Sequence, residues 1–437
     1  KEDKNFHMII LDTPERRKIM ASEDYKDIFC CIRCAACLNV CPAFRLVGGH
    51  VYGGSIYTGG IGTLLTSFLN SRERGKDIQN ICLQCGTCNT VCGGKLDIAG
   101  MILKLRTKFA QEDGLNPVHK FCLDTVADRH LFHSMLRIAS VAQGMITKGQ
   151  PMIRHLPMFL SGLTAGRSLP SVAPQPFRDI LPTIKQDVPN PKGKIAIFTG
   201  CLLDFVYVDI ATDVVKALNM AGYIVEMPLG QACCGAPATY MGDVENAKKA
   251  AEMNLNAMEA EKYDYIVSAC PTCTHALRDY VDFFKDDPEM LKKAEELRSK
   301  TFDFCKLVSM LGGLPDTGDG VPMKVTYHDS CHLNRYLGVT KEQRELLKAT
   351  KGVELIEMHD CDKCCGFGGS YSVKFPEMSA PILEEKINNI VASGADVVAV
   401  DCPGCLLQIR GGLDARGLNN IQVKHTAQIV VEKREKK

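Results

Sequence analysis

The chain has 437 residues, with 52 basic and 51 acidic side chains and 22 cysteines. That length suits two or three domains with ample core material, and the near-balance of charge excludes a general pull toward nucleic acid or an anionic membrane. No apolar run approaches the length of a membrane-crossing helix, and the opening residues do not read as a signal peptide.

Thr13-Pro14-Glu15 is a helix start, with a capping hydroxyl, a first-turn Pro and an acid at the positive end of the dipole. From there to about residue 115, short helices are expected to alternate with cysteine-bearing loops, and the glycine-rich stretch Gly48-Gly49 to Gly62 reads as coil. Residues 116–168 read as amphipathic helix. Within them the stripe Met152–Leu163 reads as packing or subunit contact, with peripheral membrane contact as the alternative. Residues 169–193 carry Pro170, Pro174, Pro176, Pro182, Pro189 and Pro191 and read as a linker.

Beyond it the pattern becomes α/β. Lys194–Thr199, Tyr223–Met227 and Tyr263–Ala269 read as strands. Asp209–Ala221 reads as a helix burying Val214, Ala217 and Leu218 and ending at Gly222, and Asp243–Lys262 as another. After the loop 312–322 the order recurs: strand Lys324–His328, a helix near 341–350, strand Glu354–Met358, helix Pro381–Ser393, strand Ala395–Val400. This is an internal duplication. The expected fold class is α+β multidomain: a helical cysteine-rich domain (1–115), a connector and linker (116–193), and two duplicated α/β domains (194–311 and 323–437).

The cysteines follow this division. Cys31-x2-Cys34-x2-Cys37-x3-Cys41-Pro42 and Cys82-x2-Cys85-x2-Cys88-x3-Cys92 have the bacterial ferredoxin spacing, in which three close thiolates hold one [4Fe–4S] cube and the fourth serves the other. Cys31, Cys34, Cys37 and Cys92 are therefore assigned to one cubane, and Cys82, Cys85, Cys88 and Cys41 to the other. Gly93 stands where the motif usually has Pro, which is not a ligand. Zinc knuckles, which need two C-x2-C arms, are the competing account.

Ten further cysteines form one pattern written twice: Cys201, Cys233-Cys234-Gly235 and Cys270-Pro-Thr-Cys273, then Cys331, Cys364-Cys365-Gly366 and Cys402-Pro-Gly-Cys405. Each copy gathers five soft thiolates just past strand C-termini, the edge where open parallel sheets place their sites. Five invite a larger or distorted iron–sulfur cluster, with zinc at one of the two sites left open. A disulfide-rich secreted chain is the other account of so many cysteines, but it suits small, loop-rich proteins.

Cys30, Cys122, Cys305 and Cys361 lie outside every motif and read as small buried hydrophobes. His328 and His332, flanking Cys331, and His275, following Cys273, read as satisfied, partly buried side chains, with tuning of a cluster or proton shuttling as the sharper alternative. The run Gly366-Phe367-Gly368-Gly369-Ser370 lacks a phosphate loop's Lys and reads as a tight loop bringing backbone N–H groups toward sulfur. No Gly-x-Gly-x-x-Gly follows a strand.

With these residues in place, the segment from Cys31 to Pro42, continuing through Gly48-Gly49-His50-Val51-Tyr52-Gly53 to Ile56-Tyr57-Thr58-Gly59-Gly60-Ile61-Gly62, resembles the ferredoxin portion of LutB-type lactate-utilisation iron–sulfur proteins. Gln231-Ala232-Cys233-Cys234-Gly235 and the run Cys364 to Glu377 resemble their LutA-type partner. The duplicated motif is also similar to the Cys-Cys-Gly (CCG) domains of heterodisulfide reductase and of the iron–sulfur subunits of glycolate oxidase and anaerobic glycerol-3-phosphate dehydrogenase. The resemblance implies a noncubane [4Fe–4S] cluster at each complete five-cysteine set. It further implies a cytoplasmic electron-transfer subunit, at the inner face of the membrane if peripherally bound, of a complex oxidising L-lactate or another 2-hydroxy acid. A flavoprotein dehydrogenase or other lactate-utilisation subunits would be its partners, and a quinone or other carrier its acceptor. The alternatives are a catalytic heterodisulfide-reductase-like subunit and a zinc-binding scaffold; no catalytic residue is assigned. Because LutB-type proteins carry a further domain before the ferredoxin segment, a longer gene product or a separate subunit is expected.

Overall fold

The computed structural model describes residues 6–144, 152–154, 164, 166–315 and 320–434, and the chain divides into two compact units, Lys1–Phe109 and Ala110–Lys437. The division falls inside the helix Ile98–Asp113, short of the expected boundary at 115.

The first unit is helical. Thr13 Oγ1 accepts the Arg16 N–H at 3.3 Å and starts the helix Pro14–Met20 as its sequence prescribes. Ser71 Oγ caps Arg72–Ile78 in the same way, and the Arg74 guanidinium reaches back to the carbonyls of His50, Val51 and Gly53 at 3.0, 2.7 and 2.7 Å. It thereby satisfies the open end of the helix Pro42–Val51. The glycine-rich stretch is the expected coil only over residues 52–58. The helix Pro42–Val51 runs into it, kinked at Gly48, and Gly59–Leu69 is helical from Gly59 onward. A Cβ on Gly59 would lie 2.1 Å from Leu38 Cδ2, so this glycine serves close packing. Leu64, Ile98, Ile102 and Leu105 centre the core.

The second unit opens with the helices Pro117–Ala127 and Arg129–Ala142, capped by Asn116 and Asp128. Met152–Ile153 then pairs antiparallel with Leu169–Pro170; the rest of the Met152–Leu163 stripe, beyond Arg154, lies outside the described residues. The proline-rich segment is packed rather than free. It contains the short helix Phe177–Ile180, buries Phe177 completely, and donates the Ala173 N–H to the Phe205 carbonyl at 2.7 Å. Its prolines stop long elements, but its apolar residues still find a core.

Two four-stranded parallel sheets follow. The first copy has β1 Gly193–Ile197, β2 Tyr223–Glu226, β3 Tyr265–Ser268 and β4 Thr301–Asp303; the second has β5 Met323–His328, β6 Val353–Leu355, β7 Val397–Val400 and β8 Gln422–Lys424. Their orders, β2-β1-β3-β4 and β6-β5-β7-β8, are the same. Central strands such as β7 are buried along their whole length, as parallel strands covered on both faces require. The helix Pro376–Ser393 begins ahead of the expected Pro381, which it holds internally, because Pro376 also sits at a favoured first position.

The two copies share one core: Ile195, Ile210 and Val214 belong to the same buried cluster as Val398, Leu406 and Val430. The exchange is reciprocal. The helix after β4, Phe304–Met310, packs on Glu342–Lys348 of the second copy, and the helix after β8, Thr426–Glu432, packs on Val208–Met220 of the first. The sequence repeat becomes an internal pseudo-twofold.

Arg178 ties the proline-rich segment to this core. It meets the Asp204 carboxylate at 2.5 Å, with the two side chains 9% and 0% exposed. Asp204→Ala leaves that guanidinium buried and unpaired, and is expected to cost about 3–5 kcal/mol. An unchanged midpoint in chemical denaturation would show that the pair carries none of the stability.

Candidate metal centres

In the first unit both cysteine runs turn through the same backbone device. Arg33 and Ala35 after Cys31 and Cys34, and Gln84 and Gly86 after Cys82 and Cys85, all have positive φ. Ala35 and Gly86 then open the short helices Ala36–Asn39 and Thr87–Thr90 from a left-handed residue. Three of these four residues are not glycine, so the loops hold strain of the kind found at ligand-binding turns. The first loop closes on a cavity of about 250 Å³ whose lining includes Cys31, Cys34, Cys37 and Cys92. Cys92, the fourth cysteine of the second run, shares this cavity with the first three of the first run.

Burial raises the Cys37 thiol. Around Cys82, Cys85 and Cys88 the same holds more strongly: burial, then the charges of Cys85 and Cys82, push Cys41 up to about 12, and burial with Cys82, Cys85 and Cys41 raises Cys88. Cys82 is raised by burial against the opposing influence of Arg106, which donates to the carbonyls of Gln79 and Cys82 at 2.6 and 3.1 Å. Thiols this crowded oppose one another's ionisation, and a thiophilic cation relieves the conflict. The donor set fits a metal cluster.

In the second unit the ends of three strands in each copy lead into cysteines. Cys201 and Cys331 follow β1 and β5, the Cys-Cys-Gly loops follow β2 and β6, and Cys270 and Cys402 follow β3 and β7. In this strand order the chain reverses direction between β1 and β3, and between β5 and β7, so the cysteines collect at the switch points. The Cys-Pro-x-Cys motif is a helix start: Cys270 and Cys402 are extended N-cap residues, Pro271 and Pro403 occupy the first helical position, and Cys273 and Cys405 sit in the first turn. There the open N–H groups and the dipole favour thiolate. Gly235 and Gly366 are left-handed, at φ +79° and +83°, and a Cβ at Gly366 would lie 2.7 Å from the Ser379 carbonyl oxygen. The Gly366 N–H approaches Cys364 Sγ at 3.4 Å, as the tight-loop reading expects.

The charge pattern repeats with the sequence. Hydrogen bonds from Cys233 and Cys273 hold Cys234 well below the usual thiol range, and those from Cys364 and Cys405 do the same for Cys365. Cys273 and Cys405 are raised in turn by those bonds. Cys402 breaks the symmetry: it is lowered chiefly by a hydrogen bond from Cys270 of the other copy, and Thr272 Oγ1 lies 3.9 Å from its sulfur. The two five-cysteine sets therefore touch, which the one-dimensional repeat did not show.

Aromatic and imidazole rings gather at the same junction. Tyr240 Oη meets His332 Nε2 at 2.6 Å, His332 stacks on Tyr336 with centroids 5.0 Å apart, and His275 Nδ1 meets the Asp279 carboxylate at 3.0 Å. Burial lowers both His275 and His332 to about 4, so both are neutral near pH 7. Tyr240 and Tyr336 come from different copies, and no local motif marks them. The reading of three satisfied histidines holds for His275 and His332 but not for His328, whose ring nitrogens have no hydrogen-bond partner among the described residues. Of the cysteines outside the motifs, Cys305 is buried as expected and Cys361 half-buried, whereas Cys30 and Cys122 are exposed. Both exposed cysteines sit on elements that turn another face to the core.

Family comparisons agree with this arrangement. The cysteine-rich domain signature matches residues 195–278 and 325–410, and the 4Fe-4S dicluster domain signature matches residues 27–96. Lactate utilization protein A of Shouchella clausii (strain KSM-K16) is 39% identical over 240 residues, 55% of this chain and 99% of that protein. A probable glycolate oxidase iron-sulfur subunit of Bacillus subtilis (strain 168) is 29% identical over 428 residues, 94% of each chain. The crystal structure of a hypothetical protein from Helicobacter pylori superposes with a TM-score of 0.51 at 10% identity, over 98% of this chain and 74% of that one, a likeness of fold alone.

Gly366→Val forces a branched side chain into a left-handed position, at a cost of about 1–3 kcal/mol, and pushes Cys365 away from its set. Iron and acid-labile sulfide per chain are expected to fall by the content of one centre while the other sets keep theirs. A full complement of metal in this variant would show that the loop geometry is dispensable.

Proposed function

The chain belongs to the iron–sulfur family of lactate utilization protein A, and from that premise we propose that it is the electron-transfer subunit of a complex oxidising lactate or a closely related 2-hydroxy acid. Cys31, Cys34, Cys37 and Cys92 would hold one [4Fe–4S] cubane, and Cys82, Cys85, Cys88 and Cys41 the other. Each Cys-Cys-Gly set would hold a further iron–sulfur cluster: Cys201, Cys233, Cys234, Cys270 and Cys273 in the first copy, and Cys331, Cys364, Cys365, Cys402 and Cys405 in the second. These groups supply one-electron steps at potentials set by burial and by hydrogen bonds to sulfur. A flavoprotein partner would deliver electrons to the cubanes, and a quinone or other carrier would take them from the Cys-Cys-Gly centres. Among the described residues no helix is long and apolar enough to cross a membrane.

The observation that carries this reading is that Cys31, Cys34, Cys37 and Cys92 line one cavity while the two five-cysteine sets meet through Cys270 and Cys402, on a chain alike along 94% of its length to a probable glycolate oxidase iron-sulfur subunit. A second reading draws on the contact between Cys270 and Cys402 beside Tyr240 and His332. Two complete sets side by side suit a two-electron step, such as reduction of a disulfide, with two electrons and two protons, to two thiols.

The chain isolated with its co-purifying subunits decides between them. Addition of L-lactate is expected to produce the EPR signals of reduced clusters, with iron and sulfide near four clusters per chain. Cys37→Ser is expected to lower that reduction at least tenfold. If lactate leaves the clusters oxidised while a disulfide perturbs their signals, the dehydrogenase reading fails and the second stands. Half the iron with bound zinc removes both in favour of a zinc scaffold.

A further inference from the structure

Aligned on their lone cysteines, the two copies differ in chemistry where the first strand meets the metal-binding edge. The third residue before Cys201 is Phe198, and the third before Cys331 is His328. His328 is the last residue of β5, Phe198 directly follows β1, and both are buried, at 1% and 0% exposure. Phe198 lies in one apolar cluster with Cys234 and Cys273. His328 stands among the counterparts of those two cysteines: an imidazole nitrogen, Cys365 Sγ and Cys405 Sγ all lie within 4.8 Å of one another.

That position is costly for a histidine unless something binds it. Neither Nδ1 nor Nε2 makes a hydrogen bond of ordinary length among the described residues, and the Cys365 thiol is the polar group that faces the ring; a buried polar atom left so poorly satisfied costs about 1–3 kcal/mol. A phenyl ring fills the equivalent space in the first copy at no such cost. What distinguishes the imidazole is a neutral nitrogen donor held against two thiols, and small side-chain rotations bring such a trio to the metal–nitrogen and metal–sulfur distances of about 2.0–2.1 and 2.3 Å seen at sites of mixed ligation.

We propose that His328 is a nitrogen ligand of the metal centre held by the second Cys-Cys-Gly set. This rests on the reading that the second set holds a metal at all. The two centres of the chain are then inequivalent: the first is ligated by sulfur alone beside an aromatic wall, and the second by sulfur and one imidazole. Where a neutral imidazole takes the place of a thiolate, the potential of an iron–sulfur centre rises. With His328 standing in for one of the five thiolates, the second centre is the more readily reduced of the pair, and electrons entering the first copy run downhill to the second.

Pulsed EPR of the reduced full-length holoprotein, grown with natural-abundance or 15N-labelled histidine, tests the ligand directly. A nitrogen coupling of the size of a metal-bound imidazole is expected on one centre, altered by the label and lost in His328→Phe. The same variant is expected to lower the potential of that centre and leave the others unmoved. If the centre is zinc, X-ray absorption at the zinc edge is expected to show one short nitrogen shell that His328→Phe removes. Metal analysis of Cys365→Ser separates the two ways of failing. Unchanged metal in that variant means the second set is no centre. Lost metal with no nitrogen coupling in the unmodified protein, or a coupling that survives His328→Phe, means that His328 is not a ligand.

Discussion

Thiols buried at close quarters cannot all give up their protons unless a cation takes the protons' place, and the rest of this molecule is arranged around that conflict. Burial, reinforced by the charges of neighbouring thiols, drives Cys41 to about 12 and raises Cys37 and Cys88. In the sheet copies Cys234 of the first set, and Cys365 and Cys402 of the second, are held low by hydrogen bonds from neighbouring thiols. A protein without metal would gain by dispersing these side chains. Here the backbone instead accepts left-handed turns at Arg33, Ala35 and Gln84 to converge them. The strain and the suppressed ionisation are both tolerable when metal binding is part of folding.

The α/β copies reach the same end by different means. Their cysteines sit where parallel strands stop and helices start, and there Cys273 and Cys405 keep their protons and donate them to Cys234 and Cys365. The exchange of the helices Phe304–Met310 and Thr426–Glu432 then fixes the copies face to face. Cys270 meets Cys402, and Tyr240 meets His332, through that packing and not through any local motif.

Much of this was legible in the chain. The central strands stood out as short apolar runs, the helix Val208–Met220 by its buried Val214, Ala217 and Leu218, and the metal sets by cysteine spacing. β4 and β8 were not foreseen, because three-residue edge strands carry too little pattern to separate from loop. Gly59 misled because glycine serves close helix packing as readily as coil, and only the nearby Leu38 distinguishes the two. The adjacency of the two five-cysteine sets was invisible for a plainer reason: residues 130 positions apart, such as Thr272 and Cys402, share no periodicity.

The internal pseudo-twofold has one more consequence. In a true homodimer every substitution is made twice, so two facing sites can only change together and electrons crossing between them find no preferred direction. Joining both halves in one chain removes that restriction. Phe198 and His328 occupy matching places with different chemistry, a distinction open to a fused pair and closed to a symmetric one.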